Sequence, residues 1–468
     1  MHNNWVSIIP FLVAIPIAMK TKQVLPGLFA GLLAGSFLIA PAPLGGLYKM
    51  IDLLVKGIID PGNIKIFLFL YGFTGLISMI KIAGGVRGFV EAASSRIQTK
   101  KQALFLTYVS TIGTFAAPSF RFVTIAPIMR SLLKKVNMST QELGFVIETT
   151  ATPIIVLIPI ATAFVGYMTS LIDMALVTEK IKTDPYQLFL QSIPFNFFSL
   201  VLILVGIYLS FFHRSKSTEN SDPEEIGGEE EDWHTCDPSV GKDLPEKPWN
   251  LFLPLLLVIG LTFLITWWDG HQKTKGFFAA FVKADVMNAM LTALLVSLII
   301  TFLFYRFQKL KTGEMLNSFI AGGNELMSVI VLLSFVWGLS SASEELGFSA
   351  FVTGYTQWIP PSLLVPILFL FGAAVSYFIG SAWGTWGILM PLGVSVAHAS
   401  GILMPLVIGT VFASGTFGAF ASPLSDDTNT IARILNLSVM KYARYKLKPA
   451  LIAAGITVVL YGAVSFFL

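Results

Sequence analysis

Apolar runs of roughly 20 residues, each long enough to cross a bilayer, recur along the chain between short polar clusters. They fall at 5–19, 24–43, 64–85, 102–129, 142–169 and 186–212, and again at 249–268, 285–305, 315–341, 362–397, 402–437 and 447–468. Most read as continuous helical spans. The runs at 102–129 and 362–397 read instead as re-entrant hairpins, the first interrupted near Pro118 and the second at the Gly-rich stretch from Gly380 to Gly387. Those at 142–169 and 402–437 read as broken helices, interrupted near Pro153 and Pro423, because proline lacks a backbone donor and disfavours a helical residue before it. The pattern predicts an all-α polytopic membrane protein of ten to twelve spans. Its expected organisation is N-terminal helices over 1–63, a first repeat over 64–212, a linker over 213–248, connecting helices over 249–314 and a second repeat over 315–468.

Composition agrees with this class. Of 468 residues, 54% are hydrophobic and 12% charged, against about a quarter charged in soluble domains. The first run is followed by Lys20 and Lys22 and not by a small-residue cleavage site, which predicts a retained span. The linker gathers Glu224, Glu225, Glu229, Glu230, Glu231 and Asp232 around Gly227 and Gly228, a composition that cannot bury a core. A single cysteine, Cys236, excludes an intramolecular disulfide and a cysteine-based metal cage. His213, His234, His271 and His398 have no metal-ligand spacing, and no P-loop, dinucleotide fingerprint or nucleophile motif is present. Without these motifs primary ATP-driven transport by this chain is not expected; the expectation is a transporter and not an enzyme, with no cofactor, no metal beyond transported Na+ and no nucleic-acid partner.

The two halves look related. Gly75, Leu76, Ser78 and Gly84 match Gly338, Leu339, Ser341 and Gly347, and at nearly the same offset 117–121 aligns with 381–385. Pro153 and Pro423 then occupy corresponding breaks. If both hairpins return to the side they enter, the basic clusters Lys20/Lys22, Arg87/Arg96/Lys100/Lys101, Arg130/Lys134/Lys135, Arg214/Lys216, Arg306/Lys309/Lys311 and Lys441/Arg444/Lys446/Lys448 share one face. That face is cytoplasmic by the positive-inside rule. The repeats are then inverted, each with one re-entrant hairpin and one broken helix, and both termini fall outside. The expected location is the inner (plasma) membrane, with the linker in the cytoplasm.

Chemistry concentrates at the interruptions. Asp426 and Asp427 stand at membrane depth beside Ser422, Ser425 and Thr428. Carboxylates in a membrane are costly and mark ion sites by default, and the hydroxyls add hard oxygen ligands. The alternative is a turn in the water phase with one Asp capping the next helix. Glu148, followed by Thr149, Thr150 and Thr152, is the counterpart in the first half, either an ion ligand or a hydrogen bonder between helices. Ser381 and Thr385 at the second hairpin tip are further ligand candidates, with Trp383 and Trp386 as walls or interface anchors. Arg121 occupies the first hairpin tip. A buried guanidinium calls for an anion, either an internal carboxylate or one on the substrate. Glu344 and Glu345 are placed at the outer mouth, and Lys81 and Arg433 are expected to snorkel or pair.

Three segments carry a resemblance: Gly380-Ser381-Ala382-Trp383-Gly384-Thr385, Ser422-Pro423-Leu424-Ser425-Asp426-Asp427-Thr428 and Ile147-Glu148-Thr149-Thr150-Ala151-Thr152-Pro153. From about residue 64 onward the chain resembles the NhaC-type Na+/H+ antiporters, whose wider superfamily has inverted repeats and paired hairpins. The resemblance implies a secondary transporter that exchanges Na+ for H+ by alternating access. It departs at the first hairpin, where that family has an acidic, Asn-containing tip and this chain has Ala117-Pro118-Ser119-Phe120-Arg121. Cation-coupled carriage of a carboxylate or amino acid therefore stays open, and a channel is the third reading. The partners implied are the lipid bilayer, a small ion or small organic anion, and a second copy in a homodimer.

Overall fold

In the computed structural model the chain is described at residues 5–85, 88, 97, 99–115, 118, 121–122, 125–126, 129–130, 133, 138–160, 162–212, 247–356 and 360–467. The acidic run of the linker, Cys236, His213, His234, the basic residues Arg87, Arg96, Lys134, Lys135, Arg214 and Lys216, and the tip residues Ala117, Ser119 and Phe120 lie outside the described residues. We expect a Gly/Ser chain in place of 220–243 to leave transport near its normal rate, since that composition offers no core to disturb. Flux in proteoliposomes, with insertion checked separately, measures this.

Among the described residues all regular structure is helical, and the protein is an all-α, multi-pass membrane protein. Among the described residues seven helices are long and apolar enough to cross a bilayer, or eight if the pair Pro185–Phe195 and Phe197–Phe211, bent by 43°, is one span. That is fewer than the ten to twelve that the apolar pattern predicts. The difference lies in Trp5–Thr21, Val24–Ile39 and Ala163–Thr178, which are apolar but shorter. A helix of 16 residues is about 24 Å long, less than the roughly 30 Å hydrocarbon core. Gly45–Ile59 escapes the apolar pattern because it is amphipathic. It buries Gly46, Met50 and Leu53, and Lys49 reaches Glu345 at 2.8 Å. That ion pair ties this helix to Glu345, which the sequence places at the outer mouth. The run at 315–341 resolves into Thr312–Glu325 and Met327–Glu345.

The core forms around the first half of the second broken helix, Met404–Ala421, which is buried along its length from Pro405 to Ala421. Both arms of the second hairpin, Pro361–Ile379 and Ala382–Ser400, pack on it, as do Pro185–Ser192, Phe197–Phe211 and the C-terminal helix Val439–Phe467. Small residues let the elements close up. A Cβ on Gly415 would stand 2.0 Å from Trp386 Nε1, which donates to the Phe412 carbonyl at 2.9 Å. Gly415→Ala is therefore expected to displace the indole and destabilise the protein by about 1–3 kcal/mol, the usual range for overpacking, read as a lower thermal midpoint in detergent. Further out, Trp249–Lys273 and Val286–Phe307 pack on each other and expose Leu256, Leu264, Ile299 and Leu303. In a membrane these side chains face lipid.

Candidate functional site

The second broken helix stops at Ala421 and restarts as Asp426–Ile434. Ser422 is extended, Pro423 has no N–H to continue the ladder, and Ser425 caps the restart by accepting from the Asp427 amide at 3.2 Å. Hydroxyls shape the break. Ser422 Oγ donates to the Tyr377 carbonyl at 2.6 Å and Ser425 Oγ to the Ala419 carbonyl at 2.5 Å. The second hairpin turns at Gly380, whose φ of 76° suits glycine, and a Cβ there would meet Leu424 of the break at 2.6 Å.

The first broken helix, Thr140–Thr149, also stops short, with a short turn, Thr152–Ile155, that has Pro153 in its first turn and no side-chain cap, before Ala163–Thr178. Thr149 and Thr150 each give their hydroxyl hydrogen back to their own helix, to the carbonyls of Phe145 and Val146 at 2.6 and 2.8 Å.

The two breaks meet. Thr152 of the first donates to Asp427 Oδ2 of the second at 2.5 Å. Beside this contact lies Glu148, fully buried. Its Oε2 accepts from the Tyr442 hydroxyl at 2.5 Å, and its Oε1 is paired with Lys446 Nζ. Lys446 also donates to Thr428 Oγ1 at 2.7 Å. Its ammonium lies 4.8 Å from the Tyr442 ring centroid and 5.1 Å from that of Phe420, within cation–π range. Thr428 gives its hydrogen to the Ser422 carbonyl at 2.8 Å. Asp427 has no ion-pair partner among the described residues, so one carboxylate of the cluster is left uncompensated.

Of the candidates named from sequence, Glu148, Thr152, Asp427 and Thr428 come together here. Ser422 and Ser425 hold the break open around them. Asp426 is exposed, so the adjacent carboxylates divide between the cluster and its mouth. Thr149 packs against Gly206. Ser381 and Thr385 bond within their own helix: Ser381 Oγ accepts from the Gly384 amide at 3.2 Å, and Thr385 Oγ1 donates to the Ser381 carbonyl at 2.8 Å. Trp383 and Trp386 are walls of the interior: both rings pack on Phe164, at 4.7 and 5.3 Å between centroids.

Arg121 departs from one of its two expected partners. Among the described residues the internal pair with Glu148, Asp426 or Asp427 does not form; Glu148 is paired with Lys446. Arg121 is fully buried and donates through Nη1 to Ser110 Oγ at 3.2 Å and Thr114 Oγ1 at 2.9 Å. Through Nη2 it donates to the Thr107 carbonyl and Thr150 Oγ1, both at 2.6 Å.

Sequence reading missed Lys446 and Tyr442. It counts Lys446 within a basic cytoplasmic cluster and starts the last span at 447, whereas the C-terminal helix begins at Val439 and buries this residue. The available signal is spacing: Tyr442 and Lys446 lie four apart on one helix face, while Lys441, Arg444 and Lys448 fall on the exposed side.

Two interrupted helices meeting inside a membrane bundle, with carboxylates, hydroxyls and a lysine at the junction, define a secondary transporter. The chain belongs to the Na+/H+ antiporter family, whose model matches residues 161–466. The match takes in the second hairpin, the second broken helix and Lys446. A relative from Haemophilus influenzae, itself an uncharacterised protein, is 26% identical over 452 residues, covering 90% of this chain and 83% of the relative. Among solved structures, MtrF of Neisseria gonorrhoeae, described within a class of antimetabolite efflux pumps, superposes with a TM-score of 0.63 at 11% identity. That match covers 89% of this chain and 84% of MtrF. The YdaH transporter of Alcanivorax borkumensis gives a TM-score of 0.59 at 13% identity over 98% of both chains. At such identities the two structures share the fold.

Proposed function

We propose that this protein is a cation-coupled antiporter of the inner (plasma) membrane that exchanges Na+ for H+ at the junction of the two broken helices. What supports the reading is the Thr152–Asp427 contact, which sets one uncompensated carboxylate beside a neutralised pair. With every group ionised, Glu148, Lys446 and Asp427 sum to a charge of minus one. A buried net charge is costly in a low dielectric. One proton on Asp427 neutralises the cluster, and so does one Na+ held by oxygens of Asp427, Glu148, Thr152 and Thr428. Either cargo relieves the same charge and the two exclude each other, which is the requirement for exchange. Alternation between the membrane faces is then easiest with the cluster neutral. Ser422 and Ser425 shape the break, and Ser381, Thr385, Thr149 and Thr150 support the helices around it.

The test is transport by purified protein in proteoliposomes, with the Na+ and pH gradients set separately. An inward Na+ gradient is expected to drive protons outward with no organic solute present. Proton movement that appears only when a carboxylate or amino acid is added would replace this reading with solute carriage. Na+ flux with no linked proton movement would replace it with a channel.

A further inference from the structure

The first half of the molecule has its own polar centre, and it already holds a cation. Four oxygens surround the Arg121 guanidinium: Thr107 O, Ser110 Oγ, Thr114 Oγ1 and Thr150 Oγ1. The three hydroxyls have spent their hydrogens elsewhere. Ser110 donates to the Thr107 carbonyl at 2.8 Å, Thr114 to the Ser110 carbonyl at 2.7 Å and Thr150 to the Val146 carbonyl at 2.8 Å. Each therefore turns lone pairs, and not a proton, toward Arg121. A helix also ends here. Thr140–Thr149 has Thr150 as its C-cap, so the negative end of its dipole faces the guanidinium, while Lys100–Val109 passes at Ser110 into the short turn Thr111–Thr114. Four acceptor oxygens beside a helix C-terminus make a cage for a hard cation.

The same geometry argues against a substrate carboxylate at Arg121. Two parallel N–H groups are needed for a bidentate grip. Both terminal nitrogens are engaged by the cage, and of the guanidinium nitrogens only Nε, itself buried, is without a partner among the described residues. The contrast with Lys446 lies in the chemistry of the two cations. An ammonium on a flexible stem sheds its proton readily when buried, whereas a guanidinium stays charged and is fixed by its fork.

We propose that Arg121 is a resident cation: its guanidinium permanently fills, in the first half of the molecule, an oxygen cage that would otherwise take a small inorganic cation such as Na+. The first repeat then contributes no exchanging ion, and ion exchange is confined to the junction around Asp427. The proposal goes beyond the Na+/H+ reading and is tested without transport, so the two fail separately.

The experiment is the thermal midpoint of the purified full-length protein in detergent, in buffer whose only cation is choline. Arg121→Ala is expected to lose stability there, to regain it with millimolar methylguanidinium, and to gain more from Na+ than wild type does through the junction around Asp427. Wild type should show no response to methylguanidinium. A destabilised Arg121→Ala protein that methylguanidinium does not restore and that gains no more from Na+ than wild type would overturn the proposal, because the arginine would then matter only for packing. So would stabilisation of wild type by acetate or another carboxylate that Arg121→Ala loses, which would make the site an anion site. Should Arg121→Ala fail to fold, Arg121→Lys and Arg121→Gln decide the matter in the same buffer. The first retains a cation and is expected to keep most of the midpoint, while the second is expected to lose it. Equal midpoints for the two would overturn the assignment.

Discussion

Asp427→Asn is expected to reduce Na+-driven proton movement to the level of protein-free vesicles, while Asp426→Asn keeps most of it. The two residues are neighbours in sequence and both are carboxylates, so only their surroundings separate them. Asp427 accepts from Thr152 across the junction and lies beside the Glu148–Lys446 pair, whereas Asp426 is exposed. Amidation at 427 removes the one negative charge that a proton or Na+ would neutralise, so neither cargo has an electrostatic reason to bind or to displace the other. The Ser425 cap accepts from the backbone amide of residue 427, not its side chain, and survives the change. The measurement is flux in proteoliposomes for both variants, with insertion and thermal midpoint matched to wild type. Normal exchange by Asp427→Asn would move the site elsewhere.

Lys446→Met and Glu148→Gln should each cost roughly 3–5 kcal/mol of stability, the range for removing one partner of a buried ion pair. Neither residue has measurable exposure, so solvent cannot screen the charge left behind. In the Lys446→Met variant, Glu148 keeps, among the described residues, only its bond from the Tyr442 hydroxyl at 2.5 Å, since Thr428 gives its one hydrogen to the Ser422 carbonyl at 2.8 Å. Combining the two substitutions should recover most of the stability, because replacing both members of a buried pair by neutral groups is often close to neutral. Exchange should not recover with it, since an amide oxygen binds Na+ less strongly than a carboxylate. Thermal midpoints of the two single variants and the double variant, set beside their flux, check this. Recovery of both stability and transport would reduce the pair to a structural tie.

Much of the architecture is legible in the sequence because it is local. Apolar runs give the spans, prolines at 153 and 423 give the breaks, and carboxylates beside hydroxyls mark the breaks as chemistry. The resemblance to NhaC-type antiporters agrees with the family the chain belongs to. Less legible is where a run ends. The last helix starts eight residues before its apolar run, because Tyr442, Ala443 and Lys446 bury one face while the charges between them dilute the average hydropathy. Gly45–Ile59 is hidden for a related reason: only one stripe of it is apolar and buried.

The sequence alone determined that the protein is a helical membrane transporter with two interrupted helices, since backbone hydrogen bonding and hydrocarbon burial act over a few neighbouring residues. Only the tertiary structure decided which charge meets which. Thr152 and Asp427 are 275 residues apart, and Glu148 and Lys446 are 298 apart. From spacing, Arg121 was as good a partner for Glu148 as Lys446 is. The choice depends on which helix ends pack together. The C-terminal helix lies against the second break and carries Lys446 to Glu148, while Arg121 donates instead to Ser110 and Thr150. Long-range contacts of this kind are set by the packing of whole helices, which no local pattern of residues encodes.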